Sequence, residues 1–128
     1  MNAALKKAYA LDAAGREAEA IPYYRRALAE GVPEEELKDA LIGYASSFRV
    51  VGEPKQARRV LERARRRFKG DPPVEAFYAL VLFDLGEHAR ALKILGLALL
   101  KESPDPELAA YAGPLARYFR TLTRRWRP

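Results

Sequence analysis

The sequence contains no cysteine and only one histidine, His88. The lack of cysteine excludes disulfides and thiolate metal sites. Long apolar runs are also missing: the longest, 76–83 and 94–100, fall far short of the ~20 residues that a membrane-spanning helix needs. Residues at the N-terminus lack the apolar core of a signal peptide, because charged residues such as Lys6 and Asp12 interrupt it. We therefore expect a soluble protein of the cytoplasm.

Side-chain amides are scarce as well, with one asparagine and one glutamine, whereas arginine outnumbers lysine 16 to 7. This composition is compatible with a thermophilic source, although a GC-rich genome produces the same arginine bias. The formal net charge is +6, and residues 53–70 contribute +6 while residues 107–128 contribute +4, which leaves the remainder net acidic. Two basic segments of this kind indicate a surface that attracts nucleic acid or an acidic protein.

One short pattern occurs three times along the chain. A glycine is followed five residues later by an alanine in 15–20, 52–57 and 86–91. The glycines are 37 and 34 residues apart, a period typical of a repeated two-helix unit. The flanking residues show helical rather than strand-like periodicity, so we predict an all-α protein. The predicted helices cover residues 2–14, 17–30, 34–51, 54–68, 72–85, 88–101 and 106–126.

The last of these helices contains a proline, Pro114. An apolar stripe runs from Leu108 to Trp126 at helical spacing and keeps its phase across the proline. Because the phase is kept, we predict one helix that is kinked at Pro114 rather than two separate helices.

The repeated pattern resembles a known family. The positions that carry the resemblance are Gly15, Ala20, Tyr24 and Ala27 in the first copy, Gly52, Ala57, Leu61 and Ala64 in the second, and Gly86, Ala91, Leu95 and Ala98 in the third. Their spacing is similar to that of the tetratricopeptide repeat family. The resemblance implies a right-handed α-solenoid in which residues 1–104 form three helix-turn-helix repeats (about 1–33, 34–71 and 72–104). Residues 105–128 would then be a C-terminal covering helix and a basic tail.

No group of residues in the sequence indicates catalysis. His88 stands where the resemblance implies a bulky ring between two helices, which favours a structural role. Glu34, Glu35 and Glu36 point in different directions on a helix and are explained as negative charge at its N-terminus. No nucleotide-binding loop or metalloprotease motif occurs. We predict that the protein is not an enzyme and has neither a catalytic residue, a cofactor nor a metal site.

The resemblance also implies a binding surface, because the first helices of the repeats line a concave wall in this family. The residues predicted to form this groove are Leu5, Tyr9, Ile42, Ser46, Arg49, Leu80 and Phe83. The groove is mostly apolar, and Arg49 is its only cation. An apolar groove with few polar groups favours an amphipathic helix or an extended peptide, supplied by another protein or by a second copy of the chain.

A basic patch is the alternative surface. Its predicted residues are Arg58, Arg59, Arg63, Arg66, Arg120 and Arg124. This patch would bind nucleic acid or an acidic partner, although a solvated helix face with pairs such as Glu62–Arg66 explains the same arginines. We therefore predict a non-enzymatic protein-interaction module, a scaffold or adaptor, with nucleic-acid binding as the less favoured alternative and no membrane partner.

Overall fold

The computed structural model describes residues 2–122. Within them lie the helices α1 (Ala3–Ala13), α2 (Glu17–Glu30), α3 (Glu34–Val50), α4 (Pro54–Arg67), α5 (Pro72–Asp84), α6 (His88–Glu102), α7 (Pro106–Ala110) and α8 (Ala112–Arg120). No strand occurs between residues 2 and 122, so the all-α prediction is confirmed. The helices belong to two compact units: unit 1 ends at Lys69 and contains α1–α4, and unit 2 begins at Gly70 and contains α5–α8.

Each helical hairpin closes with the same turn. Gly15, Gly52 and Gly86 have φ angles of 75°, 83° and 82°, in the left-handed region that glycine adopts without strain. The amide after each glycine donates to a carbonyl five residues earlier, as in the 2.9 Å hydrogen bond from Arg16 N to Leu11 O. This is the Schellman arrangement, which satisfies a carbonyl at the end of the first helix. The repeated glycines of the sequence therefore mark repeated turns.

Asparagine and aspartate side chains begin three of the helices. The Asn2 side chain accepts a 3.1 Å hydrogen bond from Leu5 N, and its Nδ2 donates to Ala27 O at 3.1 Å, which ties the start of α1 to α2. Asp71 accepts from Val74 N at 3.2 Å at the start of α5. Asp105 accepts from Glu107 N at 3.0 Å before α7. These caps satisfy amide groups that have no partner inside their helices.

Alanines set the packing of unit 1. Helices α1 and α2 pack on each other and α2 packs on α3, with one buried cluster formed by Ala4, Leu5, Ala8, Leu11, Ala20, Tyr24, Ala27 and Ala40. Small side chains allow close approach of the helices, and the larger ones fill the space that remains. Ala57, Leu61 and Ala64 of α4 are buried in the same unit, at the positions that the repeat pattern indicated.

Unit 2 has its own core. Helix α5 contributes the buried residues Val74, Tyr78, Ala79, Val81 and Leu82, and α6 contributes Ala91 and Gly96. Helix α8 packs on α6 at Gly96, where the Phe119 ring lies against the helix backbone in the space that a side chain at residue 96 would occupy. The glycine therefore makes the contact between α6 and α8 possible.

The prediction of one kinked C-terminal helix is wrong. The helix is interrupted at Tyr111, between α7 and α8, where the backbone has φ −101° and ψ 2°. Pro114 has no N–H and therefore cannot bond to the carbonyl of Ala110, so a continuous helix would leave that carbonyl unpaired. In the observed structure Pro114 falls in the first turn of α8, where an N–H has no intrahelical partner anyway. The predicted segment 123–126, with Trp126, lies outside the described residues.

Candidate functional site

One residue of the predicted groove does not reach the surface. Leu5 is fully buried in the unit 1 cluster, so its prediction as a groove residue is wrong. The repeat pattern indicates which helix carries Leu5 but not which helices pack around that side chain. Because α2 and α3 both contribute to the cluster around α1, the Leu5 side chain packs among them instead. Tyr9, one turn further along α1, is half-buried and keeps part of its surface exposed.

Two tyrosines of unit 1, Tyr9 and Tyr24, lie near carboxylates. Burial raises the pKa of Tyr9, and the negative charges of Asp39 and Glu36 raise it further. Tyr24 is fully buried, and its hydroxyl donates a 2.6 Å hydrogen bond to Asp12 Oδ2. Burial, this hydrogen bond and the charge of Asp12 all raise the pKa of Tyr24 far above the ordinary tyrosine value. Both phenols are therefore neutral, and neither has the lowered pKa of an activated nucleophile.

A row of aromatic rings connects the helices of unit 1. Ring centroids are 5.9 Å apart for Tyr9 and Tyr24, 6.0 Å for Tyr24 and Tyr44, and 4.8 Å for Tyr44 and Phe48. The row depends on Gly43 in α3, since a Cβ at that position would lie 2.8 Å from Tyr24 Cζ. Gly43 is not among the residues predicted from the sequence, although a glycine inside an otherwise regular helical pattern often marks a close packing contact.

Three predicted groove residues lie on α3 at helical spacing. Ile42, Ser46 and Arg49 are each half-buried. Helix α3 contacts α1, which carries Tyr9, so these side chains belong to neighbouring first helices of unit 1. Asp39 lies three residues before Ile42 and is exposed, and its negative charge raises the pKa of Tyr9. The α1–α3 surface predicted as a groove therefore lacks Leu5 and has the carboxylates of Asp39 and Glu36 near Tyr9.

Two predicted groove residues in unit 2 are well exposed. Leu80 and Phe83 lie one turn apart on α5 and are 43% and 58% exposed. The Phe83 ring packs against the His88 ring, with centroids 4.6 Å apart, and His88 Nε2 is 3.1 Å from the Phe83 carbonyl oxygen. His88 is exposed and stands at the start of α6 rather than between the two helices. From this position its ring packs against the side chain of Phe83.

Unit 2 has further exposed apolar side chains that sequence analysis did not assign to a site. Leu92, Leu95 and Leu99 follow one face of α6, and Tyr111, Tyr118 and Leu122 lie near α7 and α8. Leu95 occupies a position of the repeat pattern for which no binding role is predicted. The structure leaves it 42% exposed.

The arginines of the predicted basic patch divide into paired and unpaired groups. The sequence suggested an ion pair between Glu62 and Arg66. In the structure Glu62 Oε2 lies 3.3 Å from Arg58 Nε instead. Arg59 donates to Gln56 Oε1 at 3.4 Å. Arg63 and Arg66 are exposed on α4 and make no ion pair within the described residues. Arg120 is exposed in the last turn of α8 and Arg124 lies outside the described residues.

Comparison with known proteins decides the family. A family model described as tetratrico peptide repeat matches residues 1–124 of the 128-residue chain. The chain belongs to the tetratricopeptide repeat family. A search of curated proteins found no match. Tetratricopeptide repeat proteins build helical-repeat solenoids, bind other proteins or peptides and are in general non-catalytic scaffolds.

Family membership explains the alanine positions of this tetratricopeptide repeat protein. The alanines that follow each turn glycine, Ala20, Ala57 and Ala91, are all buried. Within residues 2–122 no helix combines the length and the apolar character that crossing a membrane requires. In the same range, no three carboxylate or imidazole side chains come together as a metal site. The cellular compartment, the thermophilic source and the exact repeat boundaries stay predictions.

Proposed function

We propose that this tetratricopeptide repeat protein is a non-enzymatic interaction module that binds a peptide or a partner helix through the first helices of its hairpins. The general role follows from the family, whose members bind other proteins or peptides. The observation that carries the specific proposal is the pair Leu80 and Phe83, two large apolar side chains that stand exposed one turn apart on α5.

Phe83 is suited to act as an anchor because it is large, apolar and exposed. Its ring packs against the His88 ring, a contact that favours the observed rotamer and so reduces the entropy lost when a partner binds. Aromatic side chains of this kind dominate the energetics of many interfaces. Burying the exposed part of Leu80 and Phe83 would contribute about 1 kcal/mol each. Loss of both would then weaken binding by about thirtyfold.

On unit 1 we assign the corresponding roles to residues of α1 and α3. Ile42 is the apolar anchor, and Tyr9 adds a neutral hydroxyl beside the acidic side chains Asp39 and Glu36. Arg49 and Ser46, further along α3, select polar groups of the partner. Because Asp39 is exposed, a bound segment with a basic side chain near Tyr9 is favoured over an acidic one.

The test compares two charge-introducing double variants of unit 2. Leu80→Glu with Phe83→Glu changes the proposed surface, whereas Leu92→Glu with Leu99→Glu changes α6 residues of similar exposure, 53% and 56%. Helical content by circular dichroism should be the same in both. Quantitative affinity capture from the native cell extract should lose its partners with the first pair only. Retention of the same partners by both pairs would show that α5 is not the binding surface.

Light scattering of the same variants separates a foreign partner from a second copy of the chain. If the natural protein is dimeric and Leu80→Glu with Phe83→Glu makes it monomeric, the partner of the α5 surface is the protein itself. Ile42→Glu provides the equivalent change in unit 1. If neither capture nor mass responds to changes in either unit, the first helices do not form the binding surface.

A further inference from the structure

A cleft in unit 1 is lined by residues that have no part in the proposed function. It occupies about 360 Å³ and is lined by Leu37 and Leu41 of α3 and by Arg63, Arg66 and Arg67 of α4. We call it the α3–α4 cleft. The two helices are joined by the turn at Gly52, so the cleft lies at the opposite, open end of the hairpin. Its volume falls at the low end of the ~300–1,000 Å³ typical of ligand pockets.

The charge of the α3–α4 cleft is only partly neutralised. The Arg67 guanidinium forms an ion pair with the Glu34 carboxylate, which uses one cation at the edge of the cleft. Arg63 and Arg66 have no carboxylate within ion-pair distance among residues 2–122. The wall formed by α4 therefore presents two guanidinium groups that are available to an anion.

The floor of the α3–α4 cleft is apolar. Leu37 is half-buried and presents carbon atoms rather than hydrogen-bonding groups, while the fully buried Leu41 lines the cleft without exposed surface of its own. The lining contains no aromatic ring. Bases of single-stranded nucleic acid are usually held by stacking on aromatic side chains, which this cleft does not provide. An aliphatic side chain, by contrast, gains free energy when it covers the exposed carbon atoms of Leu37.

We propose that the α3–α4 cleft binds an acidic segment of a partner protein in which a glutamate or aspartate lies beside a large aliphatic residue. The carboxylate pairs with Arg63 and Arg66, and the aliphatic side chain packs on Leu37. The planar, five-donor guanidinium group matches a carboxylate, and the apolar floor distinguishes such a segment from a merely anionic surface. The residues of this second site differ from those of the α5 surface and from Tyr9 and Ile42.

The probe is a short synthetic peptide, blocked at both ends, with leucine and glutamate at neighbouring positions of one helix face. Binding of the fluorescently labelled peptide to the full chain is measured by anisotropy at several salt concentrations. Arg63→Glu with Arg66→Glu should weaken binding by about tenfold or more, since loss of even one charge-assisted hydrogen bond has that effect. Lys55→Glu with Arg59→Glu is the matched control, because it makes the same change in net charge on α4 outside the cleft lining.

The apolar floor is tested separately. Leu37→Ser should weaken binding of the leucine–glutamate peptide, and a peptide with serine in place of leucine should bind the natural protein as weakly. Leu37 is chosen over the fully buried Leu41, whose replacement would disturb the core. Equal loss of binding in the Arg63/Arg66 and Lys55/Arg59 variants would overturn the proposal, because it would indicate unspecific attraction to the whole basic face. Failure of the natural protein to bind the peptide would overturn it as well.

Single-stranded DNA of mixed sequence serves as the competing probe. If the oligonucleotide binds more tightly than the peptide and Arg63→Glu with Arg66→Glu abolishes its binding, the cleft serves nucleic acid and the proposal is wrong. The capture experiment with Leu80→Glu and Phe83→Glu does not involve the cleft, so its result does not change the result of the peptide experiment. The two proposals can therefore fail independently.

Discussion

Replacement of Gly43 by alanine tests how tightly the aromatic row of unit 1 is packed. The added Cβ would lie 2.8 Å from Tyr24 Cζ and closer still to the hydroxyl oxygen. Tyr24 cannot easily move away, because it is fully buried and its hydroxyl donates to Asp12. Overpacking of this kind costs about 1–3 kcal/mol, while the better helix propensity of alanine returns about 1 kcal/mol. We expect Gly43→Ala to lower the free energy of unfolding by up to about 2 kcal/mol.

Urea unfolding monitored by circular dichroism measures this change. Ala29→Gly, at an exposed position of α2, measures the helix-propensity contribution in the same protein. Tyr24→Phe removes the hydroxyl nearest to the new Cβ, so Gly43→Ala should cost less in that background, with a coupling energy of about 1 kcal/mol. If Gly43→Ala instead stabilises the protein by as much as Ala29→Gly destabilises it, the close packing of Tyr24 on α3 is refuted.

Three further predictions concern other close contacts. Gly96→Ala should displace the Phe119 ring, so amide hydrogens of α8 should exchange faster by mass spectrometry while those of α5 are unchanged; equal exchange in α8 would contradict the contact. Ser47→Ala should leave the urea midpoint unchanged or raise it, since the buried Ser47 hydroxyl has no hydrogen-bond partner in the described residues, and a loss above about 1 kcal/mol would reveal a partner. Above the ordinary tyrosine pKa of about 10, the unfolded chain releases the Tyr24 proton while the folded protein retains it, so stability should fall as pH rises. The fall should be shallower in Tyr24→Phe when urea unfolding is repeated at increasing pH, and identical slopes would refute the burial of an un-ionised phenol.

The sequence predicted the helical hairpins because their signals are local. Gly15, Gly52 and Gly86 each end a helix through a backbone conformation that few other residues adopt, and the turn needs no information from the rest of the chain. The caps at Asp71 and Asp105 are equally local. Helix bounds inferred from such signals agree with the structure to within one or two residues.

The errors arose where packing or backbone hydrogen bonds decide the outcome. Apolar periodicity concerns side chains only and therefore suggested a continuous helix. It contains no information about the Ala110 carbonyl, which Pro114 would leave unpaired in such a helix. Leu5 was assigned to a surface by its place in the repeat, whereas its burial depends on which helices surround α1. Gly43 and Gly96 contact Tyr24 and Phe119, which are distant in the sequence, so one sequence could not reveal either pair.

The packing of His88 on Phe83 has a practical consequence. His88 is the only histidine of the chain, so its imidazole protons give one isolated set of signals in a proton NMR spectrum. With ring centroids 4.6 Å apart, the Phe83 ring current shifts those signals. Any molecule that covers or reorients Phe83 will therefore move a resonance that can be read without isotope labelling. The protein carries its own spectroscopic reporter at the surface where we expect it to meet its partner.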